Sequence, residues 1–407
     1  MTRIAICGET YSQNLGDGVI ADSLKWLLKQ ADASIEVSFT DFSCRPAYSL
    51  KDLADPPKAK WIRQIHRSLA QISLYRKGVV RILWYFSKRK RLSRSWQERI
   101  GDCDLMLIGG GKLLMDNNLA FPFKIRELVR LSKSLNKKVV FYACGVGARW
   151  SRHGYRLLTG ALLDESVRWI SVRDQGSRDT LRALFPGKNL KCCLSVDPAV
   201  CAAETYGIHA NPNSCKIGLN LSAPKVLSRY FAGPKRVFTV KRVKQFWIDL
   251  AELLESEHRE VVFFTNGSTV DYAFAQSIVA EMSGSKAMRP PVLLERAREP
   301  RALVEQLAQC QVIVAHRLHA NIIAYSLGIP SVGLIWDKKV EEFGKITGRS
   351  HFYLDPFNMD SCVVNERIHE AIITGVDSTH LAELKAFVSG DVKTMLRSME
   401  IASGALG

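Results

Sequence analysis

The sequence predicts an α/β protein of two doubly wound domains that face each other across a cleft, with a basic helical insertion in the first domain. Three observations predict it. Short apolar runs end in glycine and feed stretches of helical spacing, the pattern of a parallel sheet with both faces covered. The same alternation restarts near residue 216, after the turn-rich Asn211-Pro212-Asn213-Ser214. The 407 residues suffice for two or three domains. With 47% hydrophobic and 24% charged residues the chain buries a real core, which excludes intrinsic disorder, collagen and coiled coil.

In order, Arg3–Cys7 reads as a strand closed by Gly8. Gly18–Gln30 reads as a helix with Ile20, Leu24, Leu27 and Leu28 on one face. Ser34–Phe39 is a second strand, and Leu105–Ile108 a third, closed by Gly109-Gly110-Gly111. A helix over Phe123–Leu135, a strand over Lys138–Cys144 and a strand over Trp169–Val172 follow. In the second half the strands are Lys216–Asn220, Val261–Thr265, Gln311–Ala315 and Ser331–Ile335. The helices are Lys244–Glu257, Asp271–Met282, Pro300–Cys310 and Asn321–Leu327. The first domain is therefore set at 1–205, the second at 214–385 and a C-terminal helix or tail at 386–407, the boundary lying between 198 and 215. Ligands of such sheets bind at the carboxyl ends of the strands.

The formal net charge is +17, which favours an anionic partner: a phosphorylated substrate, anionic lipid or nucleic acid. Most of it comes from the insertion, 58–99, which holds thirteen Lys or Arg against the single acid Glu98. Trp61, Trp84, Tyr85, Phe86, Trp96 and many aliphatic residues interleave these charges. A basic amphipathic helix or helical pair of this kind fits the inner face of an anionic membrane; the plainer alternative is a solvated insertion docked on the first domain. No nucleic-acid motif accompanies it, so none is expected as a partner. The ten cysteines sit mostly in apolar runs without metal or disulfide spacing, which suits a reduced cytoplasmic setting. The N-terminus does not read as a signal peptide, and no apolar stretch is long enough to span a bilayer.

Four constellations carry chemistry. Asn14-Leu15-Gly16-Asp17-Gly18 joins the first strand to the first helix, where glycine admits a ligand and Asp17 is either an N-cap or a general base. Gly109, Gly110 and Gly111 are a candidate anion nest or merely a tight turn. Arg173 ends a strand, beside Asp174, as a guanidinium fork for phosphate or carboxylate or as half of a surface ion pair. The sharpest is Ala315-His316-Arg317-Leu318-His319-Ala320-Asn321, which sets two imidazoles and a guanidinium at a strand-to-helix turn.

That run through Pro330, with Trp336-Asp337-Lys338-Lys339-Val340, resembles the polysaccharide pyruvyltransferase family. So do Asn14–Asp17, Gly109–Gly111, Arg173-Asp174 with Ser177, Val196-Asp197-Pro198 and Gly218-Leu219-Asn220, in order over residues 4 to about 356. The resemblance implies two Rossmann-like domains in the GT-B-like arrangement. It implies transfer of a carboxyethylidene group from phosphoenolpyruvate to two hydroxyls of one sugar. Arg317, Leu318 and His319 would line the donor site, Arg173 of the first domain would also contact the donor, Lys339 would add charge, and Asp17 would act with His319 in catalysis. Asn14, Gly16, Asn220 and His316 complete the expected site. No cofactor or metal is expected. The acceptor would be a sugar of a surface polysaccharide or its lipid-linked precursor, with the enzyme cytoplasmic or peripheral on the inner membrane face. The insertion 58–99 has no counterpart in the family pattern. Rival readings are a glycosyltransferase using a nucleotide sugar, a non-catalytic sugar-binding subunit of an assembly complex, and nucleic-acid binding through the insertion.

Overall fold

Each half of the chain builds one six-stranded parallel sheet. The computed structural model describes residues 1–48, 78, 81–82, 84–187, 190–231, 235–284, 291–355, 357 and 360–400. The first sheet contains β1 (Arg3–Gly8), β2 (Glu36–Asp41), β3 (Leu105–Gly109), β4 (Lys138–Cys144), β5 (Val167–Val172) and β6 (Cys193–Leu194), in the order β2-β1-β3-β4-β5-β6. The second contains β7 (Lys216–Asn220), β8 (Glu260–Phe264), β9 (Val292–Leu293), β10 (Val312–Ala315), β11 (Ser331–Leu334) and β12 (Tyr353–Leu354), in the order β12-β11-β10-β7-β8-β9. Strands β3, β10 and β11 are buried at every position, which is why they read as unbroken apolar runs rather than as alternating ones.

The strand order reverses between β1 and β3 in one sheet and between β7 and β10 in the other. Those two points are where loops diverge and leave a crevice beyond the carboxyl ends of the strands. The glycine-rich strings of the first half follow β1 and β3, while Asn220 and His316-Arg317 follow or end β7 and β10.

The chain divides into two compact units, and their limits differ from the expected domains at both ends. Unit 1 holds Met1–Tyr11, Leu24–Asp197 and the chain from Ser389 on; unit 2 holds Ser12–Ser23 and Pro198–Val388. The Asn14–Asp17 loop therefore belongs to unit 2, where the backbone N–H of Leu15 donates to the carbonyl of Asn266 at 2.9 Å. The helix Ser378–Ser398 begins before the expected tail, and within unit 1 the Ser195 hydroxyl donates to the Asp391 carboxylate and Lys138 Nζ to the Met399 carbonyl. Burial raises the Asp391 carboxyl above its ordinary range, against the opposing hydrogen bonds from Ser195 and Tyr142.

Most of the basic insertion, 58–77 with 79, 80 and 83, lies outside the described residues. Its remainder is more deeply embedded than a solvated appendage. Trp84, Leu92, Trp96 and Ile100 join the core of unit 1. Trp84 stacks on Phe123 with centroids 5.3 Å apart, and the indole N–H of Trp96 donates to the Asp41 carbonyl at 3.2 Å. The helix Arg89–Ile100 is pinned through buried Glu127, which accepts from Arg89 at 3.0 Å and from Ser93 at 2.7 Å. All ten cysteines are free thiols.

Candidate functional site

Unit 2 gathers its polar side chains at its own strand-order reversal. Strand β7 ends at Asn220, and the chain continues through Ser222; β8 is followed by Thr265-Asn266-Gly267; β10 is followed by His316-Arg317. These positions are adjacent because β7 pairs in register with both β8 and β10, setting Asn220 level with Phe264 and Ala315. Asn220 donates its amide to Asn266 Oδ1 at 2.9 Å, fixing both side chains. At Gly267 the backbone turns through φ +90°, which glycine accommodates, and it faces Leu15.

Arg317 is the residue before the helix Leu318–Ser326, and no side chain caps that helix. Its opening turn therefore presents backbone N–H groups and the positive end of the helix dipole. One prong of the guanidinium, Nη2, is held by the fully buried carboxylate of Asp271. The same carboxylate accepts from the backbone N–H of Ala223 at 2.8 Å. Asp271 owes its place to Ser268, whose hydroxyl caps the helix Thr269–Ser283 by accepting from the Asp271 N–H.

His319 is buried one residue inside the Leu318–Ser326 helix, against Gly16. A methyl group built on Gly16 would land within the imidazole ring, so only glycine lets the Asn14–Asp17 loop lie here. Asp17 is in the first turn of the helix Leu15–Ala31 rather than at its cap; its N–H donates to the Asn14 carbonyl at 3.0 Å, and its carboxylate accepts from the Asn14 amide at 3.1 Å. Replacing Gly16 by alanine is expected to displace the ring or the loop and to lower turnover by about 10²-fold, the cost of roughly 1 Å of misplacement. Steady-state kinetics alongside a melting curve checks this: full activity would show that the approach is immaterial.

His316 behaves differently from its neighbour. It is fully buried, edge-on to Trp247 at 5.5 Å and to Phe238 at 6.1 Å. Desolvation, reinforced by the Arg317 charge, pushes its pKa down to about 3. It is neutral at working pH and supports the turn instead of supplying a proton. Its carbonyl accepts from the Trp336 indole, and Lys339 Nζ lies over that indole at 4.8 Å, so Lys339 is tied to the same turn. Leu318 is buried in the first turn beside Arg317.

Within this small region several buried polar atoms have no hydrogen-bond partner among the described residues: Asn220 Oδ1, Ser222 Oγ, Thr265 Oγ1, Asn266 Nδ2, Arg317 Nε and Asn321 Oδ1. Buried polar groups are normally paired, and an unpaired one costs about 1–3 kcal/mol. Such a concentration, lined by one guanidinium and a helix N-terminus, suits a small, hydrogen-bonding anion. Ser222, Thr265, Asn266 and Asp271 were not singled out from sequence. The one signal available was the Ser268-x-x-Asp271 capping pattern after an Asn-Gly turn.

The remaining expected residues lie in unit 1. The Arg173 fork is filled by carboxylates of its own unit, Asp197 at 2.8 Å and Asp174 at 3.6 Å, and is buried with them. Asp174 also caps the helix Gln175–Leu184 through the Ser177 N–H. The three glycines form a knitted turn: the Gly110 N–H donates to the Tyr142 carbonyl at 3.2 Å, and the Gly111 carbonyl accepts from Gly145 at 2.9 Å. Positive φ at Gly110 and Gly111, +72° and +83°, explains the residue type without a ligand.

A family model described as polysaccharide pyruvyl transferase matches residues 14–338. No individual curated protein matches the sequence. Among solved structures, UDP-GlcNAc 2-epimerase from Neisseria meningitidis bound to UDP-GlcNAc is 13% identical with a TM-score of 0.55, covering 98% of this chain and 100% of that one. The MnaA–UDP structure of S. aureus is 10% identical at a TM-score of 0.54, covering 98% of both chains. The N-terminal domain of Candida albicans trehalose-6-phosphate phosphatase is 11% identical at 0.53, covering 99% of this chain and 97% of that one. At such identities the likeness establishes the fold alone: two Rossmann-like units of the GT-B kind.

Proposed function

The chain belongs to the polysaccharide pyruvyl transferase family, and we propose that it moves a carboxyethylidene group from phosphoenolpyruvate onto two hydroxyls of one sugar in a surface polysaccharide or its lipid-linked precursor. The single observation that carries the donor assignment is the group of buried polar atoms without a partner among the described residues, around Arg317 and the open N-terminus of the helix Leu318–Ser326. Phosphoenolpyruvate is a compact, highly charged anion rich in acceptors, and it complements donors such as Arg317 Nε, Asn266 Nδ2 and the hydroxyls of Ser222 and Thr265. Lys339 supplies further positive charge.

In the proposed reaction His319 delivers a proton to the methylene carbon, which becomes the methyl group, and positive charge develops at C2. One sugar hydroxyl attacks C2, losing its proton to Asp17. The bond from C2 to the phosphate oxygen breaks, a second hydroxyl closes the ring, and phosphate leaves. Two C–O bonds form and one breaks, and the two hydroxyl protons account for the new methyl hydrogen and the protonated phosphate. Asp17 suits the base role by position: it is partly exposed, oriented by Asn14, and carried on the loop that touches His319.

The test is to incubate the protein with phosphoenolpyruvate and a panel of free and lipid-linked oligosaccharides. Release of inorganic phosphate with a mass gain of one carboxyethylidene group in the acceptor is the expected result. Release of nucleotide from a nucleotide sugar, with no phosphate from phosphoenolpyruvate, would replace this reading by glycosyl transfer.

A further inference from the structure

We propose that the outer face of the segment Arg81–Arg94 in unit 1 is a docking surface for an anionic lipid bilayer. This is independent of the pyruvyl-transfer reading, because it rests on residues outside the candidate site.

The segment has two faces of opposite character. Inward, Trp84, Leu92 and Trp96 are sunk in the core and hold the backbone rigidly. Outward, Phe86 is 86% exposed, Ile82 59% and Tyr85 50%. Lys88, Lys90, Arg91 and Arg94 are exposed beside them. Phe86, Lys90 and Arg94 fall at helical spacing of four, on the side opposite Trp84, Leu92 and Trp96. A solvated helix face needs no exposed Phe and Ile, and a face that binds protein through apolar contact does not ring itself with like charges. An apolar tip surrounded by cations matches the headgroup region of a bilayer: ring and alkyl groups enter the acyl boundary, and the cations meet lipid phosphates. Glu98 is the only acid between Arg81 and Ile100, and Glu127, from outside the segment, pairs with Arg89 rather than with an outward cation. Among the described residues no helix is long and apolar enough to cross a membrane, so attachment through this face is peripheral.

The experiment is sedimentation of the full chain with vesicles of phosphatidylcholine, with and without phosphatidylglycerol. Binding to the anionic vesicles only, weakening with salt, is expected. Each basic side chain at such a surface is worth about fivefold in binding, so Lys90→Gln with Arg94→Gln should weaken it about 25-fold. Phe86→Ser should weaken it about tenfold by removing the inserted ring. All three side chains are exposed, so melting temperatures should not move. Lys241→Gln with Arg242→Gln removes the same charge from an exposed helix start in unit 2 and should leave binding unchanged. Equal losses in this control would reduce the effect to net charge and overturn the surface. So would vesicle binding indifferent to the first three substitutions, or a duplex DNA affinity that falls with them while vesicle binding does not.

Discussion

Replacement of His319 by glutamine is expected to lower turnover by about 10²–10⁴-fold, the usual loss when a general acid is removed, with little change in the donor KM. Two features of the turn after β10 single out this imidazole. It is buried against the Asn14–Asp17 loop, so a proton leaving it and a hydroxyl losing one to Asp17 lie in the same part of unit 2. The other imidazole of the turn, His316, is enclosed by aromatic rings and held neutral, with a pKa of about 3. Of the two imidazoles in the turn His316–Asn321, His319 is therefore the one left for proton transfer. Glutamine preserves approximate length and a donor N–H but has no proton to transfer. Reaction in D₂O gives an independent readout: protonation of the methylene carbon places one deuterium in the ketal methyl, and the variant should slow that step in proportion to turnover. Turnover within a few-fold of wild type would remove His319 from the role.

The distribution of legible and illegible residues follows from what a sequence encodes locally. Parallel strands buried on both faces are continuous apolar runs, so Lys138–Cys144 and Lys216–Asn220 were readable to the residue. The turn His316–Asn321 was readable because a strand, two histidines, an arginine and a small-residue helix follow one another without a gap. The helices Arg152–Leu162 and Ser361–Thr374 were not placed from sequence; their apolar stripes are thin, and the second leans on the helix Val240–Ser256, far back in the chain. Asp271 was illegible for a related reason. Its partners are Ala223 and Arg317, each more than 40 residues distant, and only the pairing of β7 with β8 and β10 brings them together. Arg173 shows the converse. Its position at a strand end was correctly read, but the two carboxylates that fill its fork depend on the return of the chain through Asp197.

Truncation of Asp271 to alanine is expected to destabilise unit 2 by about 3–5 kcal/mol, because it strands the buried Arg317 charge without its counter-ion. It also orphans the Ala223 N–H, which the carboxylate accepts at 2.8 Å. Asp271 is fully buried and the Arg317 side chain is 13% exposed, so solvent screens little of this loss. The pair is best understood as a positioning device: Asp271 fixes one prong and leaves Nε, which has no hydrogen-bond partner among the described residues, for the proposed donor. Arg317→Lys separates the two contributions. Lysine can still meet Asp271 but offers no second donor in a planar fork, so the stability cost is small while the donor KM rises by about 10–100-fold, as expected for loss of one charged hydrogen bond. Denaturant unfolding of Asp271→Ala, Arg317→Ala and the double variant decides whether the two act as a unit. Removing the arginine as well eliminates the stranded charge, so the double variant should be more stable than the sum of the single losses by about 0.5–3 kcal/mol. Strict additivity, with an unchanged donor KM in Arg317→Lys, would mean that Asp271 merely anchors the loop after β7 and that the anion is held elsewhere.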